Sequence, residues 1–479
     1  MKLIIKLHRI FGSILSIVFF IWFASGIVMI FAGFPRAPKK GLFMERECLS
    51  VKDSIKDFPL KKWNNAKGIV LKKVGDVPCY YFKENSKRII LNAKTLEEIN
   101  SFSEASFDKR IMLSNKCKFT SKIINDYDQW IPWERYKMYF PIKKYYLDDD
   151  EASVIYASLK TGEIVQKTTR KSRWLARIGA IPHWFYFKYL RLNVKAWLNT
   201  VLWFSGIGAI MCLAGIILGF YRMRRRKRDK KRGLLNFSPY KKRWYIWHHI
   251  LGFFFGFTCF TFVFSGMMSL TNVPNWIMNV DNSVNYKAKW SSKFKVDDYK
   301  LPISSIINTN SESIKEIRWD VAYSKPSYFL YSNEYYFPKY YDASRVDSLI
   351  EIKTNRNFIE NRLYSIFKDK IKNIDIFHTP DDYYGRRPSA QLPFLRIEFN
   401  DENETFMYIG VESGKCISLN NKSKRLRRWL YKGLHTLNFK FLREHDWIRK
   451  FILLFLCVGG LFVSYTGIIL SVKYIRRIF

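Results

Sequence analysis

Residues 7–26 read LHRIFGSILSIVFFIWFASG, and residues 247–266 read WHHILGFFFGFTCFTFVFSG. Both stretches carry a histidine near the start, continue as an almost uncharged apolar run, and end in Ser-Gly. About 20 apolar residues in a helix are enough to cross the hydrocarbon core of a bilayer. The two stretches therefore predict two membrane-spanning helices, and their likeness predicts that the chain is an internal duplication.

Two further stretches are equally long and apolar, so the sequence predicts four transmembrane helices. The predicted bounds of the four helices are 1–34, 196–221, 244–270 and 451–472. The first apolar run is too long for the core of a signal peptide and is expected to be retained. The long segments between the spans, 35–195 and 271–450, each have the size of a domain.

Alternating strand patterns occur in both long segments. Residues 392–399 (LPFLRIEF) and 405–411 (TFMYIGV) flank a polar turn at 400–403, which predicts a β-hairpin. The predicted fold class is therefore an integral membrane α-helical bundle of four transmembrane helices with a two-fold internal repeat. Two extracytoplasmic α+β domains are expected to accompany the bundle.

The distribution of charge predicts the topology. The chain has 81 Lys and Arg residues against 41 Asp and Glu, a net charge of +40. Basic residues are dense in the predicted loop 222–243 and recur at the N-terminus and in the tail 473–479. Because short cytoplasmic loops are rich in Lys and Arg, both termini are expected to be cytoplasmic. The basic loop is assigned to an anionic membrane surface rather than to nucleic acid, since no nucleic-acid-binding motif accompanies it.

The repeat places four of the seven histidines in two pairs. His8 matches His248 at an offset of 240, and His183 matches His435 at an offset of 252. Both halves have the same predicted orientation, so the axis relating them is expected to lie along the membrane normal. Equivalent residues then face each other across the bundle, one pair at each membrane surface.

Small residues share a helix face with the histidines of the first pair. Spacings of four residues put such positions on one face, and Ser-Gly recurs five turns further along each helix. These residues are Gly12, Ser16, Gly252 and Gly256 below the histidines, and Gly26 and Gly266 near the other surface. A flat macrocycle fits such a groove, although ordinary helix packing also uses small residues.

Two histidines facing each other suit haem iron in electron transfer, whereas zinc or copper usually takes further ligands. The sequence has no Cys-x-x-Cys-His motif, so covalent c-type attachment is excluded. The pattern therefore suits two cofactors of this kind, one between His8 and His248 and one between His183 and His435. His249 is an alternative to His248, but Phe253 and Phe257 occupy its helix face in place of small residues.

The residues quoted above resemble the PepSY-associated transmembrane family. Residues 427–443, RRWLYKGLHTLNFKFLR, are similar to its C-terminal signature, and residues 392–417 resemble a PepSY-type strand pair. The resemblance implies PepSY-like external domains in the periplasm and residence in the bacterial inner membrane. It further implies b-type haems on His8, His248, His183 and His435, and haem-dependent reduction of a ferric siderophore or another ferric chelate. One departure is that the spacing from Trp-Leu to the histidine is three residues longer before His183 than before His435.

The expected function is thus that of a di-haem electron-transfer protein that reduces a ferric chelate. The sequence lacks a dinucleotide-binding glycine fingerprint, so a quinol or a partner reductase is expected as the electron donor. Candidate contacts to the chelate are Asp382, Tyr383, Tyr384 and Arg386. One alternative is a non-catalytic, membrane-anchored binding or regulatory protein of iron uptake or peptidase control. A transporter is disfavoured, because the predicted spans carry no acidic or basic residue in their cores.

Overall fold

The computed structural model of the protein describes residues 1–226, 238–274, 277–279, 284–309, 314–332, 337–346, 348–353, 355–384 and 392–477. Half of the predicted basic loop 222–243, residues 227–237, lies outside these residues. The helices, numbered in chain order, are α1 (Lys2–Phe31), α2 (Lys39–Met44), α3 (Glu104–Asn115), α4 (Arg170–Ile178), α5 (Ala180–Trp184), α6 (Lys188–Leu192), α7 (Val194–Arg226), α8 (Arg243–Met268), α9 (Tyr286–Trp290), α10 (Ile303–Thr309), α11 (Arg356–Phe367), α12 (Lys422–Arg428), α13 (Leu434–Thr436), α14 (Lys440–Glu444) and α15 (Asp446–Ile475).

The strands form three antiparallel sheets. In chain order they are β1 (Lys67–Val74), β2 (Val77–Glu84), β3 (Lys87–Asn92), β4 (Phe119–Ile124), β5 (Ile142–Leu147), β6 (Val154–Ser158), β7 (Ile164–Thr168), β8 (Glu316–Ala322), β9 (Lys325–Tyr331), β10 (Lys339–Asp342), β11 (Ile371–Phe377), β12 (Phe394–Phe399), β13 (Phe406–Gly410) and β14 (Cys416–Asn420).

Four helices of the described chain, α1, α7, α8 and α15, are long and apolar enough to cross a membrane. They correspond to the four predicted spans. The helices α7 and α15 extend beyond the predicted bounds at both ends, because helical hydrogen bonding continues into polar flanks that the apolar pattern does not mark. The exposed side chains of Ile14, Ile17 and Ile21 give α1 an apolar outer face suited to lipid.

Close contacts between glycines and phenylalanine rings pack the helices of the bundle against each other. A Cβ atom added at Gly460 of α15 would lie 2.4 Å from Cε1 of Phe23 on α1. A Cβ atom added at Gly459 would lie 2.2 Å from Cδ1 of Phe255 on α8. The two adjacent glycines therefore leave space for one aromatic ring from α1 and one from α8. This contact sets how closely α15 packs against these two helices.

The two long external segments share one six-stranded sheet, in the order β10-β9-β8-β1-β2-β3. Its central pairing is between β1 and β8, with Val70 opposite Arg318 and Leu71 opposite Ile317. The predicted boundaries 35–195 and 271–450 divide this sheet between two domains. Pairing between strands distant in sequence leaves no local pattern, so the sequence did not indicate it.

Each external segment also forms a four-stranded sheet packed on one helix. The sheet β4-β5-β6-β7 is covered by α3, whose Phe107 and Ile111 are buried with Tyr145. The sheet β11-β12-β13-β14 is covered by α11 in the same manner, through Ile359 and Leu363. The predicted hairpin at 392–411 is confirmed, with β12 paired to β13.

Short helical segments lead from each four-stranded sheet back to the bundle. After β7 the chain forms α4 and α5, and after β14 it forms α12, a π-helical turn at Trp429–Gly433, and α13. Each of these connections places one of the predicted histidines at the end of the bundle where α1 ends and the chain continues into the sheets. We call this end the sheet end, and the end with both chain termini the terminal end.

Candidate functional site: two histidine pairs in the bundle

The first histidine pair lies at the terminal end of the bundle. The ring centroids of His8 on α1 and His248 on α8 are 6.2 Å apart. Two imidazoles that bind one metal from opposite sides through bonds of about 2.0 Å have ring centroids on the order of 6 Å apart. The separation of His8 and His248 therefore fits a single metal ion between their rings.

Hydrogen bonds define the tautomer of both rings. Nδ1 of His8 lies 3.0 Å from the carbonyl oxygen of Met211 and donates to it, since a carbonyl only accepts. Nδ1 of His248 lies 3.0 Å from the hydroxyl oxygen of Thr466, whose own hydrogen points to backbone carbonyls of α15. With Nδ1 as the donor, Nε2 of each ring keeps its lone pair, as in a metal-ligating histidine.

A cavity of about 410 Å³ adjoins this pair. Its volume lies in the range of small-molecule sites. The small residues predicted to form a groove all line it: Gly12, Ser16, Gly252 and Gly256. They line the same cavity as His8 and His248, as their spacing predicted. Their small side chains leave room for a flat group in this cavity.

The second pair lies at the sheet end. The ring centroids of His183 on α5 and His435 on α13 are 6.1 Å apart, nearly the same as in the first pair. Along α1, the residues in contact with His183 lie about 14 to 18 positions after His8, which corresponds to roughly 25 Å of helix. The two pairs are therefore stacked through the bundle, one near each end.

The second pair has matching contacts on its two sides. Nδ1 of His183 donates to the carbonyl of Trp22, at 3.1 Å, and lies 3.2 Å from the Ser25 hydroxyl. Nδ1 of His435 donates to the carbonyl of Phe262, at 3.0 Å, and lies 3.1 Å from the hydroxyl of Ser265. Within the described ranges, Nε2 of neither ring has a hydrogen-bond partner.

The electrostatic environment keeps the second pair neutral. Burial lowers the pKa of His183 to about 4, and the neighbouring His435 contributes to the shift. Burial also lowers the pKa of His435. Both imidazoles are therefore uncharged near pH 7, which is the form in which histidine binds a metal.

Glycines stand against the predicted ligands. A Cβ atom added at Gly26 would lie 3.4 Å from Cε1 of His183, and one added at Gly266 would lie 3.5 Å from Cε1 of His435. Both glycines had been predicted to line the gap at this membrane surface. The structure places each glycine in contact with the edge of a histidine ring that carries Cε1 and Nδ1.

His249 differs from His248 in its surroundings. Its Nε2 lies 3.4 Å from the carbonyl oxygen of Gly219, and its ring packs edge-on against Tyr240. His248, by contrast, faces His8, and among the described residues Nδ1 is the only nitrogen of its ring with a hydrogen-bond partner. Of the two alternatives at this position, the geometry favours His248.

Several contact residues were not found from the sequence. Gly215 on α7 lies so near His8 that an added Cβ would be 2.8 Å from Cε1 of the ring, and Gly467 on α15 stands 3.6 Å from His248 in the same sense. The repeat of Gly-Ile-Ile-Leu at 215–218 and 467–470 was the available signal. The basic residues Arg9, Arg222 and Arg477 also line the cavity near the chain termini.

The donor set fits haem better than a metal held by protein alone. Among the residues that the structure describes, no cluster of three or more His, Cys, Asp or Glu side chains is arranged for a metal ion. Each pair offers two nitrogen ligands, and a porphyrin would supply the remaining four. The glycines in contact with the rings and the cavity between α1, α7, α8 and α15 would suit a flat ligand of this kind.

The side chains predicted to contact a chelate have internal partners. Asp382 forms ion pairs with Arg443 at 2.8 Å and with Arg428 at 3.5 Å. The Tyr383 hydroxyl accepts a hydrogen bond from Trp429, and Tyr384 stacks on Tyr408. Arg386 lies outside the described residues. That these residues contact a chelate stays a prediction.

Comparison with protein families gave a match. The family model described as PepSY-associated TM region matches residues 119–473 of this chain. No curated protein matches the chain. The matched range contains three of the four helices long enough to cross a membrane, both four-stranded sheets, and the histidines of the pairs other than His8.

Proposed function

Since the chain belongs to the PepSY-associated transmembrane family, we propose that this membrane protein binds two b-type haems and reduces a ferric chelate. The ferric chelate is a siderophore complex or a comparable anionic complex. The donor is a quinol or a cytoplasmic reductase. In this proposal the protein resides in a bacterial inner membrane, with both termini in the cytoplasm and the sheets in the periplasm.

One observation carries the proposal. Four histidines from distant parts of the sequence form two pairs, with ring centroids 6.2 and 6.1 Å apart, at opposite ends of one apolar bundle. Ionisable groups at membrane depth are costly and usually serve a function. Histidines that served only in packing would have no reason to meet in pairs with Nε2 of each ring left available.

The described residues could provide a cavity and ligands for the group at the terminal end and ligands for the group at the sheet end. His8 and His248 would hold the haem at the terminal end, with the guanidinium groups of Arg9, Arg222 and Arg477 near the mouth to neutralise propionates. His183 and His435 would hold the haem at the sheet end. The hydrogen bond at each Nδ1 orients its ring and raises the basicity of Nε2.

When bound, haem supplies one-electron transfer between ferric and ferrous iron, so that each electron taken from the donor converts one ferric ion of the chelate to ferrous iron while the donor is oxidised. The protein orders the path by placing one histidine pair near each membrane surface. The apolar helices between the two pairs exclude water and ions from the route.

We further propose that the two halves are repeats. The contacts support this. Ser25 and Ser265, which are 240 residues apart, lie within hydrogen-bond distance of His183 and His435 respectively. Gly215 and Gly467, which are 252 residues apart, lie against His8 and His248 respectively. A two-fold relation gives each haem one ligand from each half.

Reduction of a ferric chelate tests the activity. Purified protein is reduced, freed of excess reductant, and mixed with a ferric chelate in the presence of a ferrous-specific chromophore. We expect one ferrous ion to form for each electron stored. The His435→Ala variant is expected to reduce the chelate no faster than the protein-free control, because electrons on the haem at the terminal end can no longer reach the chelate. Exchange of the exposed His445 for alanine should leave the rate unchanged. Ferrous iron formed equally fast by His435→Ala protein would contradict the proposal.

A further inference from the structure

A cavity of about 690 Å³ lies at the sheet end, outside the histidine pairs. Its walls come from the segment that follows α1, from β1, and from the turn at Glu134–Tyr139 before β5. Trp184 and Tyr186, which follow His183 in the chain, complete it. The cavity has the size of a small-molecule site and borders the connection that carries a predicted haem ligand.

The charge of the cavity wall is strongly positive. Seven basic side chains line it, against the single carboxylate of Glu163. The seven are Arg36, Lys39, Arg46, Lys72, Lys73, Arg110 and Arg135. A concave surface of one sign concentrates ligands of the opposite sign.

Three of these cations are already neutralised. Lys72 pairs with Glu163, Arg46 pairs with Glu316, and Lys73 lies 3.0 Å from Asp53. The remaining four form no ion pair with a carboxylate in the described part of the chain. They are Arg36, Lys39, Arg110 and Arg135.

Arg110 is the most informative of the four. It lies in the middle of α3, is only partly exposed, and faces the cavity. Glu47 and Glu45 act on it electrostatically, but neither is paired with it. A partly buried guanidinium with no bonded partner retains its full capacity to donate to an incoming anion.

Aromatic rings accompany the cations. Arg135 lies over the ring of Trp133, 4.8 Å from the centroid, and over that of Tyr136, at 5.4 Å. Trp133 in turn packs edge-on against Phe34 and Tyr186. The cavity therefore offers flat apolar faces next to guanidinium groups, a combination that binds rings bearing negative charge.

The geometry points to a binding site for a compact anionic chelate with aromatic rings, of which a metal tris-catecholate is the representative. This inference rests on the proposed function, because it identifies the cavity as the place where the ferric chelate docks beside His183. A neutral chelate of equal size would leave the four unpaired cations unsatisfied. It should therefore bind more weakly.

Gallium(III) complexes separate binding from reduction, since gallium(III) has the charge of ferric iron but is not reduced under these conditions. Full-length protein in detergent is titrated calorimetrically with gallium(III) tris-catecholate and with a neutral gallium(III) trihydroxamate. We expect the catecholate to bind and the hydroxamate to bind at least about tenfold more weakly, as one lost charge-assisted contact would cause.

Variants then locate the site. Arg135→Gln changes an exposed residue and should fold normally, and Arg110→Gln tests the partly buried cation. Each is expected to weaken catecholate binding about tenfold. The matched control is Arg345→Gln, which removes an exposed arginine of the second external segment and should leave the affinity unchanged.

Equal affinity of both arginine variants and the parent would overturn the inference, as would an equal loss in Arg345→Gln or equal binding of the neutral complex. Binding of gallium catecholate that depends on Arg110 and Arg135 supports the site even where the ferric complex is not reduced. In that outcome the proposed reductase function fails and the binding site stands.

Discussion

Replacing His8 or His248 with alanine is expected to remove half of the haem bound to the protein and to leave the other half spectroscopically normal. Each ring would supply one ligand nitrogen to the haem, and its loss would leave a cavity with a single ligand. The sheet-end pair lies about 25 Å away along the bundle, so it should keep its haem. The measurement is the haem content per chain of purified variants, combined with the absorption spectrum of the reduced form.

His183→Ala and His435→Ala are expected to show the converse loss. The matched control is His249→Ala, which changes the residue adjacent to His248 on the same helix. Because Nε2 of His249 faces the carbonyl of Gly219 rather than His8, both haems should be retained in this variant. Loss of half of the haem in His249→Ala, together with normal haem content in His248→Ala, would identify His249 as the ligand. That result would contradict the pairing of His248 with His8.

The second large effect is expected from a single methyl group. In Gly215→Ala the new Cβ would lie 2.8 Å from Cε1 of His8, a distance at which the ring must move. Overpacking of this kind costs about 1–3 kcal/mol, which corresponds to roughly tenfold or more in retention of the terminal-end haem. The sheet-end haem should be unaffected.

Gly206→Ala is the matched control, since it lies on the same helix α7 and its Cβ would meet only Met267, 3.9 Å away. Both substitutions change helix propensity equally. Haem loss is measured by transfer to an excess of a haem-scavenging protein, followed optically. Equal rates of loss in the two variants would show that Gly215 does not set the position of His8.

The pairing of the histidines could be predicted from the sequence, because similar stretches at constant offsets relate residues that are far apart in the chain. Offsets of 240 and 252 related His8 to His248 and His183 to His435 without any knowledge of the fold. The three-residue difference in spacing before the sheet-end histidines was the weak point. The structure shows how it is absorbed, with two helices broken at Gly179 before His183 but a continuous π-helical turn before His435.

Contacts between different helices could not be predicted from the sequence in the same way. The approach of Gly215 to His8 depends on the rotation of α7 relative to α1, and no periodicity within one helix specifies that rotation. The shared six-stranded sheet was missed for a similar reason, since β1 and β8 are far apart in sequence. The cavity lined by Arg110 and Arg135 gathers residues from several such segments.

Haem content of the unmodified protein tests the central claim most directly. The chain is purified in mild detergent from cells supplied with haem, and its haem is quantified as the pyridine haemochrome alongside oxidised and dithionite-reduced spectra. The expected result is two b-type haems per chain, because each of the two histidine pairs would hold one haem. A featureless visible spectrum would contradict haem ligation by the two histidine pairs, and it would instead favour a membrane-anchored protein that binds or regulates a partner.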